Sequence, residues 1–308
     1  MTAVWSGRRR LARPPQLWPL VRTRPASAVP VPDNLSIVST SLTVPAVVCA
    51  WLVVQLFVLG GLEQHRAQDR LYGEFREQLA AATAPVGGII EPGAPVALLS
   101  APGLGWSQVV TEGTSSGLLL DGPGHRRDTV LPGQAGVSIV YGKSGTFGRP
   151  LQAMLGGAAG QKLTVTTGQG ELSYTIGAVR RAGDALPAAP PAGGSRITMV
   201  TAEGEGRLGR LAPDEVVYVD ATLDAGAFVA PPGRLNAIGP AETAMAGDTS
   251  VMPALALSLG VLAAATVGVI VSRRRFGAIR AWLVGAPVIV ALAWLSVDLA
   301  TYLLPNLL

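Results

Sequence analysis

Gly122 to Leu151 reads GPGHRRDTVLPGQAGVSIVYGKSGTFGRPL, and this stretch decides the fold. Proline fixes φ and glycine tolerates positive φ, so Gly122-Pro123-Gly124 and Pro132-Gly133 mark turns. Between turn signals, Val137 to Tyr141 is a short apolar run, the pattern of a strand. The same pattern recurs on both sides: Pro95 to Ser100, Gln108 to Thr111, Lys162 to Thr167, Leu172 to Arg180, Ile197 to Thr201 and Val216 to Ala221. Turn signals such as Glu91-Pro92-Gly93 and Gly168-Gln169-Gly170 separate them. Seven or eight short strands over about 140 residues predict a mainly β domain, a closed barrel or sandwich, with a core large enough to fold alone.

The flanks are of another kind. Mean hydropathy is +0.39 and charged residues are 14% of the chain, both shifted toward a membrane protein. Val44 to Leu62 and Val251 to Val271 contain no charge, and Trp282 to Leu304 contains only Asp298. Each is about as long as a helix needs to cross a bilayer. A signal peptide would have a shorter apolar run followed by small residues; here Glu63-Gln64-His65-Arg66 follows, so the first stretch reads as an uncleaved anchor.

Charge gives the expected orientation. Arg8, Arg9, Arg10, Arg13, Arg22 and Arg24 precede the first span, and Arg273, Arg274, Arg275 and Arg280 lie between the second and third. The intervening region is net acidic, so both basic segments belong in the cytoplasm and the β domain outside. The pI near 9.6 is then a topology signal, and no basic stripe interleaved with aromatics supports a nucleic-acid partner. Cys49, the one cysteine, falls in the first span, which excludes an intramolecular disulfide and a Cys-rich zinc site. No cofactor or metal is expected.

The expected organisation is an Arg/Pro-rich cytoplasmic tail (1–40), a first span (41–62) and a helical stalk (63–84) with one stripe of Leu71, Phe75 and Leu79. The barrel (85–224) and an Ala/Gly/Pro linker (225–250) follow, then two spans (251–272 and 282–304) joined by a basic loop (273–281). Leu303-Leu304-Pro305 ends the last span, with essentially no domain expected beyond it.

The opening stretch resembles class E sortases, the actinobacterial housekeeping type, whose segment has the form G-x-G-H-x-P-x-T-x-x-P-G-x-x-G-N-x-x-x-A-G-H-R-T-T-x-G-x-P-F. Gly122, Gly124, His125, Thr129, Pro132, Gly133, Gly136, Gly142, Gly148 and Pro150 match it without a gap. Gly160 to Val165 is similar to the family's G-D-x-I-x-V strand, Thr198 to Ala202 to its T-L-x-T-C strand end, and Tyr218 to Ala221 to its closing strand. The resemblance spans roughly residues 85 to 224 and implies a sortase-like barrel.

It also implies a degenerate site. A sortase attacks a peptide carbonyl with a cysteine thiolate, uses a histidine as acid or base, and steadies the oxyanion with an arginine. In this register those positions hold Ala202, Lys143 and, by looser alignment, Val216. A methyl group forms no acyl-enzyme, and a lysine in an exposed Gly-rich stretch would be protonated near pH 7 and unable to accept a proton. No catalytic residue is therefore assigned. Candidate binding residues are His125, at the family's other histidine position; Thr201, expected to line the old cleft; and Arg207 and Arg210, in the loop before the last strand. Asp298 reads either as an interfacial carboxylate or as a contact with a partner helix. Three functions stay open at this point. The first is a surface-exposed binding or scaffolding module that holds a cell-wall or membrane protein; the others are a divergent hydrolase or transpeptidase with another nucleophile, and a structural spacer.

Overall fold

The computed structural model describes residues 33–156, 158–204, 209 and 213–308. Most of the tail, and the candidates Arg207 and Arg210, lie outside the described residues.

The first helix, α1 (Asp33–Val54), continues through a π-helical turn (Gln55–Leu59) into α2 (Gly60–Ala80). Helix therefore starts inside the stretch read as tail. The strands follow as β1 (Pro95–Ala101), β2 (Trp106–Glu112), β3 (Gly124–His125) and β4 (Gly136–Tyr141). A single helical turn, α3 (Gln152–Leu155), precedes β5 (Lys162–Thr167), β6 (Gly170–Arg180), β7 (Ser195–Glu203) and β8 (Glu215–Leu223). Two long helices follow, α4 (Met252–Phe276) and α5 (Ala278–Thr301). Among the described residues three helices are long and apolar enough to cross a membrane. The basic segment between the last two is largely helical, with Gly277 as the break at φ 86°.

The eight strands form one closed barrel in the order β1-β2-β3-β4-β7-β8-β6-β5, with β1 and β5 completing the ring. Closure removes the free edges that an open sheet would present. Alternation along each strand builds the interior: in β5, Leu163 and Val165 are fully buried while Lys162 is exposed. Leu99, Val110, Val140, Tyr174, Ile197, Met199 and Val219 complete the core. At the Pro132-Gly133 turn, Gln134 N–H donates to Leu131 C=O at 3.1 Å, and Gly133 takes φ 93°. That geometry favours proline followed by glycine.

Two segments pack differently from their sequence-based expectations. The predicted stalk lies against the barrel: the Gln68 side chain accepts from Val109 N–H at 2.7 Å and donates to Asp121 C=O at 2.9 Å, and Gln64 donates to Gln108 at 2.8 Å. Its buried face is Gly60, Gln64, Ala67, Gln68 and Phe75; Leu71 and Leu79 are only half-buried. The predicted linker is also docked. Phe228 N–H donates to Gly133 C=O at 3.0 Å, and Arg234 reaches into the barrel wall.

Candidate functional site

The ends of β4 and β7 and the start of β8 bring together Lys143, Ala202 and Val216, the positions at which the sequence resemblance expects a histidine, a cysteine and an arginine. Strands β4 and β7 run parallel with Tyr141 beside Val200, and Gly142 N–H donates to Val200 C=O at 3.0 Å. The pairing thus continues one residue past β4, to the residue before Lys143, near the end of β7. Across the antiparallel β7–β8 pair, Ala202 faces Val216 and Glu203 faces Glu215. Side chains alternate along a strand, so Val200 and Ala202 share a face with Tyr141, Ile139, Val216 and Tyr218. Thr201 alternates to the other face, with Ile197 and Met199 toward the barrel interior, and its hydroxyl is buried without a partner among the described residues. The expectation that Thr201 lines the cleft is corrected by this alternation.

The cleft face is covered. Leu307 is 0% exposed and packs with Ala202, Val200, Tyr141 and Leu119. Main-chain groups fasten it: Ser144 N–H donates to Leu307 C=O at 2.9 Å, and the Thr146 hydroxyl donates to Leu308 O. Phe147 and Arg149 in the same loop hold positive φ (44° and 49°), and Phe147 packs against Gly60 of α2, where a Cβ would lie 2.8 Å from its ring. Residues 143–150 are thus held from both sides.

Lys143 is 0% exposed, with its ammonium 3.5 Å from Pro305 C=O. Burial lowers it from 10.5 to about 7, since a charge loses its hydration when water is excluded. The expectation of an exposed, fully protonated lysine is therefore corrected: glycines next to Lys143 do not expose it, because residues distant in sequence cover it. Burial also raises the Tyr141 hydroxyl, against the opposing pull of Arg126.

Beside the covered face lies an open cavity of about 470 Å³, bordered by Ser144, Arg149, Gln152, Arg181, Ala202 and Glu203. An Arg181–Glu203 ion pair at 2.8 Å sits on its rim. This cavity and the covered face meet at Ala202.

His125 lies away from this cleft, in β3, and is 0% exposed. Its Nδ1 is 2.9 Å from Glu112 and its Nε2 is 2.8 Å from Val130 C=O. Arg234 donates to Glu112 at 2.7 Å and to Thr129 C=O at 3.1 Å. The three side chains tie β2, β3 and the segment after β8 together. Among the described residues no group of three His, Cys, Asp or Glu is placed to hold a metal. Asp298 is exposed, one turn before the end of α5. Sequence reasoning missed Glu112, Arg234 and Leu307. A charged residue in a Gly/Pro-rich segment carries no local sign of its partner, and Leu307 falls beyond the predicted end of the last span.

Residues 99–220 match the family model of the Sortase domain. The matched segment includes Lys143, Ala202 and Val216, and ends before Leu307 and the other residues that cover Ala202. Solved structures similar to the chain include the Clostridium perfringens sortase D5 transpeptidase, at 19% identity over 52% of this chain and 99% of that one, with a TM-score of 0.42. Sortase E from Streptomyces avermitilis is 24% identical over 44% of this chain and 91% of its own, with a TM-score of 0.36. A lid mutant of sortase A from Corynebacterium diphtheriae is 17% identical over 52% and 95%, with a TM-score of 0.37. No curated protein matches the chain.

Proposed function

We propose that this chain is a membrane-anchored pseudo-sortase at the cell surface, whose sortase domain binds or scaffolds a protein segment and does not rejoin peptide bonds. One observation carries this reading: where β4 and β7 end side by side, the class E resemblance expects a histidine and a cysteine, and the pair is Lys143 and Ala202. A methyl group cannot become an acyl-enzyme. Cys49, the chain's one thiol, sits in α1 beside Leu259 and Leu262 of α4, far in sequence from the barrel. The basic tail and Arg273 to Arg280 would lie in the cytoplasm. This orientation is supported by the end of α5 and the start of α4 both meeting the barrel side, where Asp248 N–H donates to Tyr302 C=O at 2.9 Å. The partner would be a cell-wall or membrane protein.

Purified full-length protein should show neither transpeptidation nor hydrolysis of peptides. The paired change Lys143→His with Ala202→Cys should bring thiol reactivity to the cleft. Turnover by the unaltered protein that is lost on changing Lys143 or Thr201 would overturn the reading.

A second reading, a divergent hydrolase or transpeptidase, is favoured by one feature. Lys143, lowered to about 7 by burial, adjoins Ser144, whose hydroxyl is buried without a partner among the described residues. A desolvated lysine can activate a hydroxyl. Labelling of Ser144 by a fluorophosphonate probe, lost in Ser144→Ala, would establish it; absence of labelling leaves the binding module.

A further inference from the structure

The α4–α5 hairpin has two chemically different ends. The start of α4 and the end of α5 lie together on the barrel side, where Asp248 N–H donates to Tyr302 C=O. The other end, at the Gly277 break, carries charge of one sign: Arg273, Arg275 and Arg280 are exposed, and Met252 to Val297 contains no acidic residue. Among the described residues no ion pair includes any of these arginines.

Between the helices at this basic end lies a cavity of about 470 Å³, bordered by Ala265, Gly268 and Ser272 of α4 and by Arg280, Val284 and Val288 of α5. Small residues shape it. Val269 packs so closely on Gly285 that a Cβ there would collide, whereas a Cβ on Gly268 would meet nothing within 4 Å. Val284 and Val288 are exposed, so the groove faces outward, into hydrocarbon once the helices cross a bilayer. From Arg280 to Val288 the helix rises about 12 Å, most of one leaflet of about 15 Å. The groove is thus apolar along its length and cationic at its mouth.

Charge decides between the occupants that such a groove could take. A second copy on a two-fold axis would bring the same arginines together, an unfavourable meeting of like charges where water is scarce. A purely apolar helix would leave the guanidinium without a counter-charge. An anionic phospholipid satisfies both parts: its acyl chain fills the apolar length, and its phosphate oxygens accept from the planar fork of Arg280. Ser272, half-buried beside the groove, offers a hydroxyl to the same phosphate. Basic pockets between membrane helices bind anionic headgroups by this combination.

We propose that the α4–α5 groove holds one acyl chain of an anionic phospholipid whose phosphate is bound by Arg280, with Arg273 and Arg275 adding to the preference for negative charge. The site lies in the leaflet next to the basic segment, which is the cytoplasmic leaflet on the orientation proposed above. Its chemistry is independent of what the sortase domain does.

The test titrates a phosphatidylglycerol and a phosphatidylcholine of identical acyl chains into the full-length protein in neutral detergent, with bound lipid counted by native mass spectrometry. The unaltered protein binds the phosphatidylglycerol at least about fivefold more tightly, the effect of one arginine near an anionic lipid. Arg280→Gln brings the two lipids within about twofold, and Arg280→Lys, which keeps the charge, keeps the preference. Arg76→Gln removes the same charge from the exposed surface of α2 and changes nothing. Gly268→Leu fills the groove without a collision and weakens both lipids at least about fivefold, while unchanged helical circular dichroism shows that the hairpin is intact. A preference that survives Arg280→Gln, or binding that Gly268→Leu leaves unchanged, overturns the proposal. Displacement of the lipid by glycerol 3-phosphate alone would assign a soluble-anion site instead, and a dimer that Gly268→Leu dissociates would give the groove to a second copy; either result overturns the lipid. Micelles have no sidedness, so a reversed topology in cells, or measured peptide turnover, would refute the proposed function and leave the lipid site standing.

Discussion

Lys143 gives the closed cleft a pH dependence whose sign and size follow from its burial. In the closed state its ammonium is buried against Pro305 and its pKa falls to about 7; in water it returns to 10.5. Ionisable groups on the neighbouring elements include Tyr141 on β4, Glu203 on β7, Glu215 and Tyr218 on β8 and Arg149 in the loop, and burial is the cause of the lowering. A lysine with a depressed value binds its proton more weakly in the closed state. The penalty on closure is therefore fully present below about pH 7 and disappears as pH rises toward 10.5. Between about pH 6 and about pH 9 closure should strengthen by about 3 kcal/mol, roughly a hundredfold in the opening equilibrium. Maleimide labelling of Ala202→Cys, in the Cys49→Ala background, reads this opening. Dividing each rate by that of the same protein carrying Lys143→Met cancels the pH dependence of the thiol itself. The ratio should fall steeply across this range. A ratio constant within about threefold would refute the reasoning, because Lys143 would then be hydrated equally in both states.

Three further outcomes follow from specific contacts. Glu112→Ala leaves the buried His125 and the partly buried Arg234 without their shared carboxylate. It should cost about 3–5 kcal/mol, read as a lower midpoint in denaturant titrations followed by the β-sheet circular dichroism. Tyr174→Phe removes an oxygen that accepts from Gly133 N–H at 3.0 Å and donates to Ser195 at 2.8 Å. The expected loss is about 1–2 kcal/mol in the same titration, and an unchanged midpoint would mean that water replaces both bonds. Gly117→Ala forces the Tyr302 ring aside; it should loosen the covering segment by about 1 kcal/mol, roughly fivefold in Ala202→Cys labelling.

Local pattern reached far into this fold. The residues predicted for a fourth strand, Lys162 to Thr167, are those of β5, because alternating Leu163 and Val165 between turn glycines encode a pleated, half-buried run. The three apolar helices were legible for a similar reason, since their composition needs no knowledge of a neighbour. The sequence register also expected Lys143, Ala202 and Val216 at one site; β7 and β8 pair Ala202 with Val216, and β4 ends at Tyr141 beside Val200, two residues before Lys143. Other features had no local signal. Strand β3 is two residues long, too short for any period to show. Gln64 and Gln68 lie outside the apolar stripe predicted for the stalk, yet their amides bond the barrel. Only the tertiary structure decided that Thr201 turns inward, that Arg234 completes a buried cluster, and that Leu307 covers Ala202. Lys143 shows the reason most plainly: its own neighbours are glycine and serine, but a carbonyl 162 residues away excludes its water and changes its chemistry. Periodicity records which way a side chain points along its own element; what it meets there is set by chain closure over distances that no local pattern carries.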